Sequence, residues 1–362
     1  MREIEEYLPN GWEEKSRETG AFTRGRVIKS PGDLLALNML YITGESSFSM
    51  TSAAMTLTKG VKISKVGVYD RVKNSGEWLR WMAEELCAQQ GALLKKPEFL
   101  GKKSVIIPDG SDEPVKGSKK TDYRLHYALD LFGFCTRHME LTTEKEGEKL
   151  SRYEIRENDI WVADRIYGTI SGIEHVLAGK GDFILRFKSK AFVLYDANGV
   201  RVELLPDLRK LSPLVSTDMR CFYKFGGKLR PVRIVAMKKD AESIARSHRK
   251  MQRKFSKKQE KKATKETMEL NEYIVLATSL DYTNEQILEI YRVRWQVEMV
   301  FHRLKSLFGY GDIPSKQPET AKAWFYGKLF LAALCEKIMK MASFSPELDR
   351  FIINIVGAKL VE

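Results

Sequence analysis

The sequence predicts an α/β protein: a mixed sheet covered by helices, with a helical N-terminal region and a β-rich insertion. Three observations point there. Apolar spacing is helical from Pro31 to about Leu94, turns strand-like after Lys96-Pro97, and becomes helical again from Thr283. Between these limits, three adjacent strand candidates are followed by a helix, a strand, a helix and a further strand. The chain of 362 residues, 43% apolar and 30% charged, is long enough for a large buried core and too apolar for disorder.

Taken in order, Pro31 stands near a helix start, Leu34, Leu35, Leu37 and Leu40 supply an apolar face, and Gly44-Glu45-Ser46 breaks it. Met50 to Leu57 and Ser64 to Val72, separated by Lys59-Gly60, make a helix-turn-helix candidate. An ordinary packed helix pair is equally compatible with these residues. Strands are expected at 104–107, 125–131 and 137–141, a helix around Glu144 to Tyr153, a strand at 160–163, a helix at 170–177 and a strand at 183–187.

Past Lys188 the chain reads as strand-rich. Asp196-Ala197-Asn198-Gly199, between strand candidates 191–195 and 200–204, and Gly226-Gly227, between 221–225 and 229–237, are hairpin signals, and Tyr273 to Thr278 is a last strand. From Thr283, with Gln286 three positions on completing a capping box, one long helix is expected to run to Gly309. Apolar helix follows from Ala321 to Met341. The corresponding domains are 1–98, 99–187, 188–280 and 281–362.

Charge is unevenly placed. The formal net charge is +13, and residues 246–265 hold ten Lys or Arg against the single acid Glu260. A polyanion suits this balance, since neutralising phosphates releases counterions. A solvated helix face would show the same run. Arg253, Lys254, Lys257 and Lys258 are its candidate phosphate contacts. Four scattered cysteines without a C-x-x-C pair give no sign of a disulfide framework or a zinc site. An acidic N-terminus and the absence of a membrane-length apolar run lead to the expectation of a soluble, cytoplasmic protein.

The most informative segment runs from Tyr291 to Lys305. On one continuous helix, Tyr291, Arg294, Glu298 and Lys305 fall on one polar face beside the apolar stripe. A helix laced with ion pairs, Arg294 with Glu298 among them, would look alike. His302 lacks the H-E-x-x-H context of a zinc site.

The spacing Tyr-x2-Arg-x3-Glu-x6-Lys resembles the signature of bacterial DDE transposases of the insertion-sequence-four type. That resemblance implies a ribonuclease-H-like core in which Asp109, after Val105-Ile106-Ile107-Pro108, and Asp164, after Trp161-Val162-Ala163, join Glu298 as catalytic, metal-binding acids. It departs from the family at Ile166, where Gly is usual. Asp112 and Asp130 are spare acids. Three carboxylates suit two Mg²⁺ ions, with Mn²⁺ as substitute, because such ions take oxygen ligands and stabilise the attacking and leaving oxygens of phosphoryl transfer. Tyr291, Arg294 and Lys305 would hold DNA phosphates. The implied partners are double-stranded DNA with terminal inverted repeats, target DNA and a second copy of the chain, without a membrane. A ribonuclease-H-fold nuclease lacking strand transfer and a catalytically decayed DNA-binding protein are the alternatives.

Overall fold

The computed structural model describes residues 2–44, 47–88, 95–133, 135–188, 192–258, 264–295 and 313–341. The first strands are β1 (Ser104–Glu113), β2 (Tyr123–Asp130), β3 (Cys135–Thr143), β4 (Asp159–Ala163) and β5 (Asp182–Arg186). There follow β6 (Leu194–Tyr195), β7 (Arg201–Val202), β8 (Ser216–Phe225), β9 (Lys228–Lys238) and β10 (Tyr273–Thr278). Among the described residues they form one sheet in the order β3-β2-β1-β4-β5-β10-β9-β8-β6-β7. β1 pairs antiparallel with β2 and parallel with β4, and β4 pairs parallel with β5. This mixed sheet agrees with the α/β expectation and with a ribonuclease-H-like core.

Helices precede the sheet as α1 (Arg2–Glu5), α2 (Trp12–Glu18), α3 (Pro31–Thr43), α4 (Phe48–Lys59), α5 (Lys65–Lys73) and α6 (Gly76–Ala88). Within and after it lie α7 (Ile170–Ala178), α8 (Leu205–Leu208), α9 (Ala241–Lys258), α10 (Lys265–Leu270), α11 (Asn284–Arg292) and α12 (Pro318–Met341). Ser30, Ser47 and Ser64 cap α3, α4 and α5 by accepting backbone N–H bonds, which fixes three of these starts locally. Gly60, with φ 67°, closes α4 in the left-handed conformation that only glycine adopts cheaply.

Strand alternation sorts the core into two layers. Val105, Ile107, Ile160, Val162 and Ile184 face one way and meet Leu37, Trp78, Leu79, Phe325 and Phe330 of the N-terminal helices and α12. Ile106, Trp161, Ala163, Phe183 and Leu185 face the other way, towards Ile173 and Val176 of α7 and the inner residues of β9 and β10. α12 therefore packs beside α3, α5 and α6 and, like α6, against β3. Its buried Tyr326 hydroxyl accepts a hydrogen bond from the Leu141 backbone N–H of edge strand β3, at 3.1 Å.

Three expectations are corrected. The helix expected at Glu144 to Tyr153 is a turn and an irregular stretch ending in a short 3₁₀ turn, Leu150–Arg152. Gly147 sits within it, and Leu150 and Tyr153 are drawn into the core, so tertiary burial overrides the helix preference of the Glu and Lys residues. The long helix from Thr283 begins with its full capping box, but α11 stops at Arg292 and continues as a 3₁₀ turn, Val293–Trp295. Residues 296–309 of the expected helix lie outside the described residues. The strands expected at 191–195 and 200–204 shrink to the two-residue β6 and β7. Strand β10 bonds to β5 on one side and to β9 on the other, so β8 and β9 extend the same sheet.

Candidate active site

The two aspartates are positioned by neighbouring parallel strands. The β1–β4 register pairs Ser104 with Asp159, Val105 with Ile160 and Ile106 with Trp161. Asp109 and Asp164 each lie three residues past the last of these pairs, so they leave adjacent strands at matching height. Strands lie about 4.8 Å apart, so the two aspartates leave the sheet as neighbours. β1 does not end there as expected. It continues to Glu113 against β2, with Asp109 opposite Tyr127, while β4 has already ended at Ala163. Asp109 thus sits where β1 has lost one neighbour.

Local bonds orient both side chains. The Gly110 N–H donates to Asp109 Oδ1 at 2.9 Å, and the Ile166 N–H donates to Asp164 Oδ1 at 2.7 Å. The second bond closes an Asx turn through Ile166 itself, so the turn after Asp164 forms without the glycine usual in the family. Burial pushes the Asp109 carboxyl up to about 7; the Gly110 N–H and the Arg294 guanidinium oppose this, while Glu148 and Asp164 add to it. These mutual effects place Asp109, Asp164, Glu148 and Arg294 within one electrostatic neighbourhood.

Glu148 was not among the residues expected from the sequence. It lies in the irregular stretch after β3, and its carboxyl occupies the space that a side chain at position 110 would fill: a Cβ there would meet Glu148 Cδ at 2.6 Å. Burial raises its proton affinity first and the Asp164 charge next, against Arg124 and the nearby Tyr167 hydroxyl. Tyr167 is buried, with its hydroxyl 3.5 Å from that of Tyr153.

Arg294 follows α11 on the 3₁₀ turn, its guanidinium 6.0 Å from the Tyr291 ring centre. Tyr291 in turn lies near Arg165, whose guanidinium pKa is lowered by burial and by Arg186. Lys239 belongs to the same group: burial, then Arg186 and Arg165, bring its ammonium down to about 8. This cluster of cations beside Asp164 also escaped the sequence reading, since its members come from β5, β9 and the turn after β4.

Glu298 and Lys305 lie outside the described residues. The flanks of their segment are described. Arg294 on one side stands near Asp109, and Ile313 on the other forms a bridge to Val115, with the Lys116 N–H donating to the Ile313 carbonyl at 2.9 Å. The spare acids are otherwise engaged: Asp112 pairs with Arg124 at 3.0 Å, and Asp130 accepts from the Gly133 N–H at 3.0 Å. On α9, Arg246, Arg249, Lys250 and Arg253 share an exposed face at helical spacing. The side chains of Lys254, Lys257 and Lys258 are outside the described set.

Comparison with known families adds a decisive observation. A family model described as a transposase DDE domain matches residues 100–335, more than half of the chain. The chain belongs to the DDE transposase family. It is also similar to the putative transposase InsL for insertion sequence element IS186A of Escherichia coli (strain K12), 28% identical over 350 residues, covering 94% of this chain and 92% of that protein. The transposase for insertion sequence element IS421 of Escherichia coli is 28% identical over 351 residues with the same coverage of both chains. A shorter match, 32% over 103 residues, covers 28% of this chain and 20% of the transposase for insertion sequence element IS231F of Bacillus thuringiensis subsp. israelensis.

As a DDE transposase the protein is a DNA-acting enzyme that depends on divalent metal. Its residues suit such an ion. Asp109 and Asp164 offer hard oxygen donors at matching height, and a divalent cation would offset the Glu148 and Asp164 charges that add to the burial-driven rise of the Asp109 pKa. Among the described residues, no three His, Cys, Asp or Glu side chains gather closely enough to hold a metal ion. Nor is any described helix of this transposase long and apolar enough to cross a membrane.

Proposed function

We propose that this transposase cuts DNA at the terminal inverted repeats of an insertion sequence and joins the ends to target DNA, with Asp109, Asp164 and Glu298 as its acidic triad. The observation that carries the reading is the equal three-residue offset of Asp109 and Asp164 beyond the β1–β4 register. The closeness of Arg294 to Asp109 and of Ile313 to Val115 supports adding Glu298, which lies between Arg294 and Ile313 in the sequence. Two Mg²⁺ ions, replaceable by Mn²⁺, would activate the attacking water or 3′-hydroxyl and stabilise the leaving oxygen.

The chain's own residues supply position and charge. Asp109 and Asp164 present carboxylate oxygens that their backbone bonds hold in place. Arg294 favours the ionised form of Asp109 and, with Tyr291 and Lys305, holds DNA phosphate near the cut. Arg165, Arg186 and Lys239 raise one another's electrostatic energy, so a phosphate backbone passing them is favoured. The exposed basic face of α9, with Lys254, Lys257 and Lys258 following it in the sequence, would extend this track.

The organisation we assign is a helical DNA-binding region at 1–98, the first part of a ribonuclease-H-like core at 99–187, a β-rich insertion at 188–280 and the Glu298 segment with C-terminal helices at 281–362. The protein acts in the cytoplasm, on nucleoid DNA, as a homodimer. The test is purified protein with Mg²⁺ on DNA carrying the flanking terminal repeats. Nicking and joining, both lost in Asp109→Ala, Asp164→Ala and Glu298→Ala while DNA binding persists, is the expected result. Nicking without joining reduces the protein to a nuclease, and binding without either to a decayed copy.

A further inference from the structure

We propose that Glu148 is a positioning residue of the active site, a fourth carboxylate seated against Gly110 and beside Tyr167, whose negative charge strengthens divalent-cation binding by the Asp109–Asp164 pair. The inference rests on the metal-binding role of that pair.

Two independent features of packing carry it. The first is the space above Gly110. A side chain there would lie 2.6 Å from Glu148 Cδ and 2.8 Å from Glu148 Oε1, so the carboxyl rests on the backbone of the residue next to Asp109. Gly110 has no left-handed φ, so conformation does not require glycine at this position. The space does. The second is Tyr167, whose hydroxyl lies close to Glu148 in the turn that begins at Asp164. Tyr167 is itself buried against Tyr153, whose hydroxyl donates to the Tyr127 carbonyl opposite Asp109, at 3.5 Å. Glu148 therefore lies against the strand bearing Asp109 on one side and near the turn bearing Asp164 on the other.

A half-buried carboxylate so placed adds negative charge where a cation would sit and helps fix the strand and turn that present the ligands. Removing outer groups of this kind typically weakens metal binding about tenfold or more. The geometry also singles out Gly110→Ala: the new methyl group displaces a flexible carboxyl end rather than backbone, so the protein should fold with Glu148 pushed aside.

The experiment measures Mn²⁺ binding to the full chain without DNA by titration calorimetry, with melting temperature and DNA affinity as controls. Glu148→Gln keeps the size and shape of the side chain and removes only charge. It should weaken Mn²⁺ about tenfold with melting temperature and DNA binding unchanged, and Glu148→Asp should recover part of the loss. Gly110→Ala should weaken Mn²⁺ similarly, and the double variant should be no weaker than either single one. Unchanged Mn²⁺ affinity in both Glu148→Gln and Gly110→Ala overturns the proposal, as does full additivity. Asp109→Asn distinguishes the levels. If it abolishes Mn²⁺ binding while Glu148→Gln has no effect, only the role of Glu148 fails; if it leaves Mn²⁺ binding intact, the metal-site reading fails and this inference with it.

Discussion

Arg294 stands near enough to Asp109 to favour its ionised form, opposing the burial that lifts the same carboxyl to about 7. The opposition makes metal binding sensitive to pH near neutrality, because a divalent cation binds the carboxylate and competes with the proton. Mn²⁺ affinity should rise as pH increases from 6 to 8. Arg294→Gln removes the cation that holds the Asp109 pKa down, so its profile should move to higher pH. A Mn²⁺ titration series across that range checks the direction, and a shift to lower pH would contradict it.

The same carboxyl bears on stability. Its folded value of about 7 exceeds its ordinary 3.8, so between these values the folded state holds more protons than the unfolded one. The contribution of Asp109 is thus fully present below about 3.8 and is lost as pH rises through about 7. Asp109→Asn abolishes the ionisation and should raise the melting temperature by a few degrees at pH 8 in metal-free buffer, with a smaller gain at pH 5. Calorimetric melting at the two pH values gives the comparison.

Arg294 is assigned a second task, the alignment of DNA phosphate. Arg294→Lys preserves charge and loses the two-pronged geometry, so cleavage of terminal-repeat DNA should fall by about tenfold or more while Mn²⁺ affinity hardly moves. Glu298→Gln should show the reverse emphasis, with weaker Mn²⁺ binding and cleavage lost at every metal concentration. Normal cleavage by Arg294→Lys would leave the residue as a charge partner of Asp109 alone.

The exposed face of α9 predicts a salt effect. Charge reversal at Arg249, Lys250 and Arg253, or at Lys254, Lys257 and Lys258, should weaken DNA binding broadly and flatten the dependence of log affinity on log salt by about 0.9 per lost phosphate contact. Filter-binding or anisotropy measurements from low to moderate salt provide the slope. An unchanged slope would make the helix a solvated face.

Packing of α12 supplies a prediction far from the chemistry. A Cβ at Gly327 would lie 2.1 Å from Ile42 Cδ1 and 2.9 Å from Ile42 Cγ1, with Leu79 close behind. In an open helix the change to alanine would add about 1 kcal/mol of stability. Here overpacking costs about 1–3 kcal/mol, so Gly327→Ala should be net destabilising. Denaturant unfolding of the variant decides the sign.

How far the sequence foretold this site depends on the range of the forces involved. The Thr283–Gln286 capping box is legible because both partners lie within one turn. Asp109 and Asp164 are legible because each follows a short apolar strand and the resemblance of the Tyr-Arg-Glu-Lys spacing says where to look. Glu148 is not: it follows no periodic element, and its place depends on how β3 returns beside β1. The Arg165–Arg186–Lys239 cluster is likewise assembled only when β10 brings β9 alongside β5. The break at Val293 was hidden because the apolar stripe continues across it, and a stripe records burial rather than the exact turn angle.

The position of α12 governs when the protein can exist at all. Its apolar face completes a layer whose other members, α3 and α6, leave the ribosome about 230 residues earlier. At about 5 to 20 residues per second, that interval lasts roughly ten to fifty seconds. Throughout it the nascent chain carries Leu37, Trp78 and Leu79 without their final cover. Translation pace and chaperone supply therefore set how much enzyme each message yields, and a message broken before codon 318 gives a sticky fragment in place of a working transposase.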